Sequence, residues 1–143
     1  MCDPDTPQAL PPGDWWLQAL PASIVAGFPS PAEDHQVERI DLMQQLVKHP
    51  QATFCIRVRG ESMRDAGILD GSVVLVDRAI TPADGQIVLA LIDGDFTCKT
   101  LRLQGEGIWL QAAHPDCPDI VPKDGQSVDV LGVVVATTHK HTT

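Results

Sequence analysis

From residue 53 onward, short apolar runs alternate with turn signals, and this pattern restricts the chain to a β-rich fold. The runs lie near residues 54–58, 73–76, 86–92, 96–103, 108–112 and 128–136. Glycines, prolines and Asp-Gly pairs separate them, and these residues favour turns. The run 73–76 is apolar throughout, which predicts a strand covered on both faces. We therefore expect a compact, mostly antiparallel β domain.

The first 34 residues differ from the rest of the chain, and we expect them to form an extended arm. Seven of the twelve prolines stand there, which excludes a long helix. An apolar cluster interrupts the arm at Trp15, Trp16, Leu17 and Leu20. We interpret it as a patch that docks on the domain or on a partner subunit, with a local cluster without a role as the alternative. The chain is thus divided into an arm at 1–34 and a domain at 35–143.

The domain is expected to begin with its one short helix. Asp41 has the character of a helix N-cap, and Gln44 follows three residues later. Apolar residues between positions 42 and 47 would supply one apolar face. His49-Pro50 is expected to end the helix.

A serine stands where the first predicted strand of the domain ends. Gly60 breaks the run 54–58, and Ser62 follows on a predicted tight turn. A hydroxyl at such a turn can face a cleft. Most serines in glycine-rich loops only bond their own backbone, and the loop alone leaves that alternative open.

A lysine stands on a later predicted strand. The runs 86–92 and 96–103 predict a hairpin, and Lys99 shares one face of the second strand with Leu101 and Leu103. Burial on such a face favours the neutral amine. A neutral lysine beside a serine hydroxyl can act as general base and create a nucleophile. The alternative is an edge-strand lysine that guards against aggregation.

Three motifs and one upstream segment occur in this chain in a fixed order. The motifs are Gly60-Glu61-Ser62-Met63, Gly67-Ile68-Leu69-Asp70-Gly71 and Phe96-Thr97-Cys98-Lys99, and the segment is Ala26-Gly27-Phe28-Pro29-Ser30-Pro31-Ala32. Together they resemble the self-cleaving serine–lysine proteins of the LexA and UmuD group, over residues 22–136. The resemblance implies that Ser62 is the nucleophile, that Lys99 is the general base and that the cleaved bond joins Ala26 to Gly27.

The same resemblance implies a fold and a function. The fold would be a compact antiparallel β domain of the LexA and signal-peptidase type, with one short helix and an extended arm before it. The protein would be a homodimer of the SOS response that cuts its arm when RecA filaments on single-stranded DNA stimulate it. The trimmed dimer, residues 27–143, would join a UmuC-type Y-family polymerase in translesion DNA synthesis. No cofactor and no metal are implied.

Within this group, the arm indicates the UmuD branch. Residues 1–26 are rich in proline and contain no lysine or arginine. We therefore do not expect the DNA-binding helix-turn-helix module that LexA-type repressors carry before their cleavage site. Arg39-Ile40-Asp41-Leu42, His49-Pro50 and Leu131-Gly132-Val133-Val134 also resemble the UmuD branch.

Charge and composition restrict the partners and the compartment. The formal net charge of -9 argues against strong direct DNA binding, which needs basic surface, so we expect protein partners. The cysteines at 2, 55, 98 and 117 lack metal-site spacing, and those at 55 and 98 are expected to be free thiols inside strands. We recognise no signal peptide and no apolar run near the ~20 residues of a membrane span. A cytoplasmic protein is therefore expected.

Two other classes of function remain as alternatives. A signal peptidase would use the same dyad on other chains, although such enzymes are anchored in membranes. A non-enzymatic binding module, or a LexA-type regulator without its DNA-binding domain, could keep the fold without the reaction. Loss of Ser62 or Lys99 would have favoured the binding module, and both residues are present.

Overall fold

A computed structural model of the chain describes residues 16–19, 27 and 38–142. These residues divide between positions 48 and 49 into two compact units. The described part of the first unit contains two short strands and one helix. The second unit contains a six-stranded sheet and two short 3-10 helices, Pro50–Ala52 and Arg64–Ala66.

In the first unit, strand β1 (Trp16–Ala19) pairs antiparallel with strand β2 (Glu38–Asp41). No local sequence pattern predicts this pairing, because its partners lie far apart in the chain. Of the expected apolar cluster in the arm, Trp15 and Leu20 lie outside the described residues. Leu17 is exposed.

The predicted helix is present, and its start is confirmed. Helix α1 (Leu42–Leu46) begins after Asp41, whose side chain accepts a hydrogen bond of 3.2 Å from the backbone N–H of Gln44. The predicted end is wrong, because α1 ends before His49-Pro50, and Pro50 instead begins a 3-10 helix. The helix contains no buried residue, and the expected apolar face is covered only in part, since Leu42 and Met43 are exposed and Leu46 is half-buried.

The six predicted strands of the second unit are all present. They are β3 (Thr53–Arg57), β4 (Val73–Asp77), β5 (Ile87–Ile92), β6 (Asp95–Gln104), β7 (Gly107–Gln111) and β8 (Val128–Thr138). Every neighbouring pair is antiparallel, in the spatial order β3-β4-β8-β5-β6-β7. The expectation of a mostly antiparallel β fold is therefore confirmed.

Two apolar clusters form the core, one on each face of the sheet. Alternation along β5 shows the division, since Val88 belongs to one cluster and Leu89 to the other. Strand β4 is buried at every position, as the run 73–76 predicted. Cys98 is a buried free cysteine, as expected, whereas Cys55 is disulfide-bonded, so the expectation of a free thiol there is wrong.

Strand β8 lies between β4 and β5 and is irregular at two points. Its register shifts once against each neighbour, so that Leu131 and Val135 are extra residues, as in a β-bulge. Between them, Gly132 allows a close approach to β4. A Cβ atom at this position would lie 2.6 Å from Cγ1 of Val76 and 2.9 Å from the carbonyl oxygen of Asp77.

Bulged strands bend and twist, so the two bulges favour a curved sheet. Three strands separate β3 from β6 in the spatial order. Residues of β3 and β6 nevertheless line the same cleft. The curvature therefore brings the turn after β3 close to β6, and this is where the candidate site lies.

Candidate active site

Ser62 lies on a turn, and the residues before and after it in the chain hold this turn in place. Gly60 has a φ of +89°, a backbone conformation that residues with a Cβ atom rarely adopt. Its N–H donates to Oδ1 of Asp70 at 2.7 Å. The residue after the serine, Met63, is 1% exposed and belongs to the core. The turn is therefore anchored, and Ser62 remains half-buried at its surface.

The loop after β7 supports the same turn from the other side. The N–H of Ala113 donates to the carbonyl oxygen of Ser62 at 2.7 Å, and the N–H of Asp65 donates to that of Ala113 at 2.8 Å. Further along, the buried hydroxyl of Ser72 accepts the N–H of Leu69 at 2.9 Å. These bonds hold the segment between β3 and β4 in one shape.

Lys99 is placed by the sheet. It lies on β6 opposite Val88 of β5, and the pairing of β6 with β7 begins only at Thr100. Strand β7 therefore does not cover β6 at Lys99, and it is burial that argues against the edge-strand alternative, because a lysine that guards an edge faces solvent. The residue is 8% exposed. Leu101 is buried on the same face, as expected, whereas Leu103 is exposed and cannot help to desolvate the lysine.

The two side chains meet. Nζ of Lys99 lies 2.8 Å from Oγ of Ser62, 3.0 Å from Oγ1 of Thr97 and 3.4 Å from the carbonyl oxygen of Cys98. Among the described residues, Ser62 is therefore bonded through its hydroxyl to a lysine rather than to its own backbone. Ser62 and Lys99 were predicted from the sequence, whereas the contact with Thr97 was not, since the only signal for it is the position of Thr97 two residues from Lys99.

Burial lowers the pKa of Lys99 below its ordinary value, since desolvation disfavours the ammonium form. The charged forms of Cys98 and Cys117 would oppose this change to a smaller extent. Burial, however, raises the pKa of Cys98 to about 11, so its thiol is neutral at pH 7. Near neutral pH the opposing effect of Cys98 is therefore absent, and desolvation determines the direction.

A cleft of about 160 Å³ opens beside the pair. Its apolar lining includes Ile56, Val58 and Leu89. A neutral amine within hydrogen-bond distance of a serine hydroxyl can take its proton and create a nucleophile. Of the two residues expected at the cleaved bond, Gly27 is exposed, and Ala26 lies outside the described residues.

The described residues offer no alternative centre based on a metal. Within residues 16–19, 27 and 38–142, no three histidine, cysteine or carboxylate side chains are grouped so that they could hold a metal ion. No helix in these ranges is both long enough and apolar enough to cross a membrane.

Comparison with known proteins gives one family and several relatives. The model of a family described as Peptidase S24-like matches residues 18–135, a range that includes Ser62 and Lys99. Protein SamA of Salmonella typhimurium strain LT2 is 42% identical over 115 residues, which cover 80% of this chain and 79% of SamA. Protein MucA of Escherichia coli is 40% identical over 119 residues, which cover 82% of this chain and 81% of MucA. A LexA repressor of Azoarcus sp. strain BH72 is 41% identical over 117 residues, covering 81% of this chain and 57% of the repressor.

Proposed function

The chain belongs to the Peptidase S24-like family, and on that premise we propose that it is a self-cleaving serine peptidase of the LexA and UmuD type. Its substrate is its own arm, which it cuts between Ala26 and Gly27. Ser62 is the nucleophile, and Lys99 is the general base. The observation that carries this proposal is the distance of 2.8 Å between Nζ of a buried lysine and Oγ of a serine beside an open cleft.

The reaction is acyl transfer in two steps. Neutral Lys99 accepts the hydroxyl proton while Oγ of Ser62 attacks the carbonyl carbon of Ala26. The C–N bond then breaks, and the proton passes from Lys99 to the amino group of Gly27. Water next attacks the ester with Lys99 as base, Oγ regains a proton, and Ala26 leaves as a carboxylic acid that ionises at neutral pH. Backbone N–H groups, including that of Ser62, stabilise the oxyanion in both steps.

The sequence around the cleaved bond suits this site. Residues 23–28 are small or apolar, and a cleft of about 160 Å³ favours small side chains next to the bond. We expect Gly27→Glu to block cleavage because the new side chain does not fit, whereas Gly27→Ala is processed at a reduced rate. Mass spectrometry of the fragments measures both. Normal processing of Gly27→Glu would place the cleaved bond elsewhere in the arm.

The processed form acts in the SOS response. RecA filaments on single-stranded DNA trigger cleavage, and the trimmed homodimer joins a UmuC-type Y-family polymerase for translesion synthesis. Removal of residues 1–26 takes away Asp3, Asp5 and Asp14 together with Trp15 and Trp16, so a formal charge of -6 remains of the original -9. We expect the loss of this arm to expose the surface that binds the polymerase. Equal affinity of the cut and uncut chains for the polymerase subunit would contradict this role.

The decisive experiment follows the chain by mass. The purified protein is incubated with RecA, single-stranded DNA and a nucleotide, and we expect fragments that correspond to residues 1–26 and 27–143. Ser62→Ala should stay intact, while the control Ser127→Ala, which alters an exposed serine, should be cut like the wild type. Cleavage of Ser62→Ala after Ala26 would refute the assignment of the nucleophile.

A further inference from the structure

The cleft beside Ser62 is cationic in an acidic protein. Its lining includes the guanidinium groups of Arg57 and Arg59, and none of the described residues that line it is an aspartate or glutamate. In the whole chain, acidic residues outnumber lysine and arginine by 19 to 10. The charge of the cleft therefore does not follow from the composition, and it favours an anionic ligand.

The two arginines are engaged to different degrees. Nη1 of Arg57 donates to the carbonyl oxygen of Gly71 at 3.3 Å. Arg59 is exposed, and within the described ranges its side chain makes no hydrogen bond or ion pair. The nearby carboxylate of Asp70 already accepts the N–H of Gly60. The guanidinium group of Arg59 is therefore available to a molecule that enters the cleft.

The part of the intact arm around the bond to be cut brings no negative charge into the cleft. Residues 23–30 contain no charged side chain, and the bond to be cut is a neutral amide. Hydrolysis changes this, because it converts the carbonyl group of Ala26 into an α-carboxylate beside Ser62. Apart from the transient oxyanions, the cleft thus meets a negatively charged group of the substrate only after the second step of the reaction.

We propose that the cleft is a binding site for a peptide α-carboxylate, with Arg59 as its principal ligand, and that it retains the released fragment that ends at Ala26. This inference rests on the proposed self-cleavage. A guanidinium group can bind a carboxylate through two parallel hydrogen bonds, which a neutral amide cannot match. Arg59 therefore distinguishes the product from the substrate. Release of the acidic fragment becomes a separate step that salt accelerates.

A binding experiment with two peptides tests the site. Fluorescently labelled Ser-Ile-Val-Ala, which copies residues 23–26, is prepared with a free carboxylate and with a carboxamide at its end. Fluorescence anisotropy measures the affinity of each for the full-length wild-type chain and for full-length Ser62→Ala. We expect the carboxylate peptide to bind about tenfold more tightly at low salt, which is ~1.4 kcal/mol. High salt should reduce this preference.

Variants of the arginines provide the controls. Arg59→Gln should abolish the preference for the carboxylate, and Arg59→Lys should keep part of it, because it retains the charge without the fork of donors. Arg78→Gln changes an exposed arginine outside the cleft lining and should leave the preference unchanged. A thermal unfolding midpoint shows whether each variant is folded.

The outcomes separate this inference from the proposed function. Equal binding of the two peptides to the wild type, no binding of the carboxylate peptide up to millimolar concentration, or an unchanged preference in folded Arg59→Gln would each overturn the inference. Self-cleavage without any preference would overturn only the inference. A preference for the carboxylate in a chain that never cuts itself would overturn the proposed function, and retention of the fragment with it, but would leave the carboxylate site in place.

Discussion

The turn that carries Ser62 and the strand that carries Lys99 form two walls of one cleft, and they are built in different ways. Local contacts shape the serine wall, through the conformation of Gly60 and the burial of Met63. The lysine wall depends on the order of the sheet, because β6 reaches β4 only through β5 and β8. Substitutions within the turn can therefore displace Ser62. The protonation of Lys99, in contrast, depends mainly on its burial and on its hydrogen-bond partners.

The largest expected effect comes from removal of either reacting group. Ser62→Ala and Lys99→Ala should each lower the cleavage rate by roughly 10²–10⁴-fold or more, since the nucleophile or its base is lost. Lys99→Arg should also be inactive, because a guanidinium group stays protonated. Mass spectrometry follows cleavage, and circular dichroism checks the fold. Cleavage by folded Lys99→Arg would show that Lys99 is not the base.

A substitution in the serine wall should lower stability as well as activity. Met63→Ala removes a side chain that is 1% exposed, and we expect the free energy of unfolding to fall by about 2–5 kcal/mol. The matched change Leu69→Ala, at a side chain that is 38% exposed in the same segment, should cost less than about 1.5 kcal/mol. Urea unfolding measures both. Equal losses would mean that Met63 does not anchor the turn.

The burial of Lys99 should make the rate of self-cleavage depend on pH. Because burial lowers the pKa of Lys99, the neutral fraction grows as the pH rises towards that pKa, and cleavage without an activator should accelerate between pH 7 and pH 10 and then level off. Stability should change in the same direction. Between the lowered pKa and the ordinary lysine pKa of 10.5, the unfolded chain binds more protons than the folded chain, so the contribution of Lys99 to the free energy of unfolding rises with pH.

This prediction is tested by the cleavage rate of protein that is shown to remain folded at each pH. A rate that is flat or falls across this range would exclude Lys99 as the titrating base. Cys98 does not confuse the result over most of the range, because its pKa is about 11.

The smallest expected effect on cleavage comes from Thr97, whose hydroxyl accepts a hydrogen bond from the amine of Lys99. Thr97→Val keeps the shape of the side chain but removes Oγ1, which lies 3.0 Å from Nζ of Lys99. We expect the maximal cleavage rate to fall about three- to tenfold, as the loss of one hydrogen bond suggests. The pH profile should shift to lower pH, since Oγ1 no longer accepts a bond from the ammonium form.

A conservative variant gives the control for this positioning role. Thr97→Ser retains the hydroxyl and should restore both the rate and the pH profile. A rate and a profile of Thr97→Val that both match the wild type would show that Thr97 does not position the lysine.

Local sequence patterns were sufficient to predict the strands but not their arrangement. The run 108–112 corresponds to Gly107–Gln111, and the run 73–76 to Val73–Asp77, because alternation and turn residues act over a few positions. The position of β8 between β4 and β5 has no such local signal. The pairing of β1 with β2 was missed for the same reason, since it joins residues that are far apart in the chain.

The candidate site shows the same division. The motifs around Ser62 and Lys99 were enough to name both residues, and the structure brings them together. Arg57 and Arg59 were not predicted in the cleft, since they approach β6 only through the curvature of the sheet. No periodicity in the sequence reports such an approach.

The distance between Ser62 and Lys99 also depends on Gly132, a residue that does not line the cleft. Any side chain there would push β8 away from Val76 and Asp77, and β8 is the link between the half of the sheet that leads to Ser62 and the half that carries Lys99. A random library selected for self-cleavage should therefore reject changes at position 132 almost as strictly as changes in the reacting pair. Low tolerance to mutation would thus mark Gly132 as essential, although it has no side chain that could take part in the chemistry.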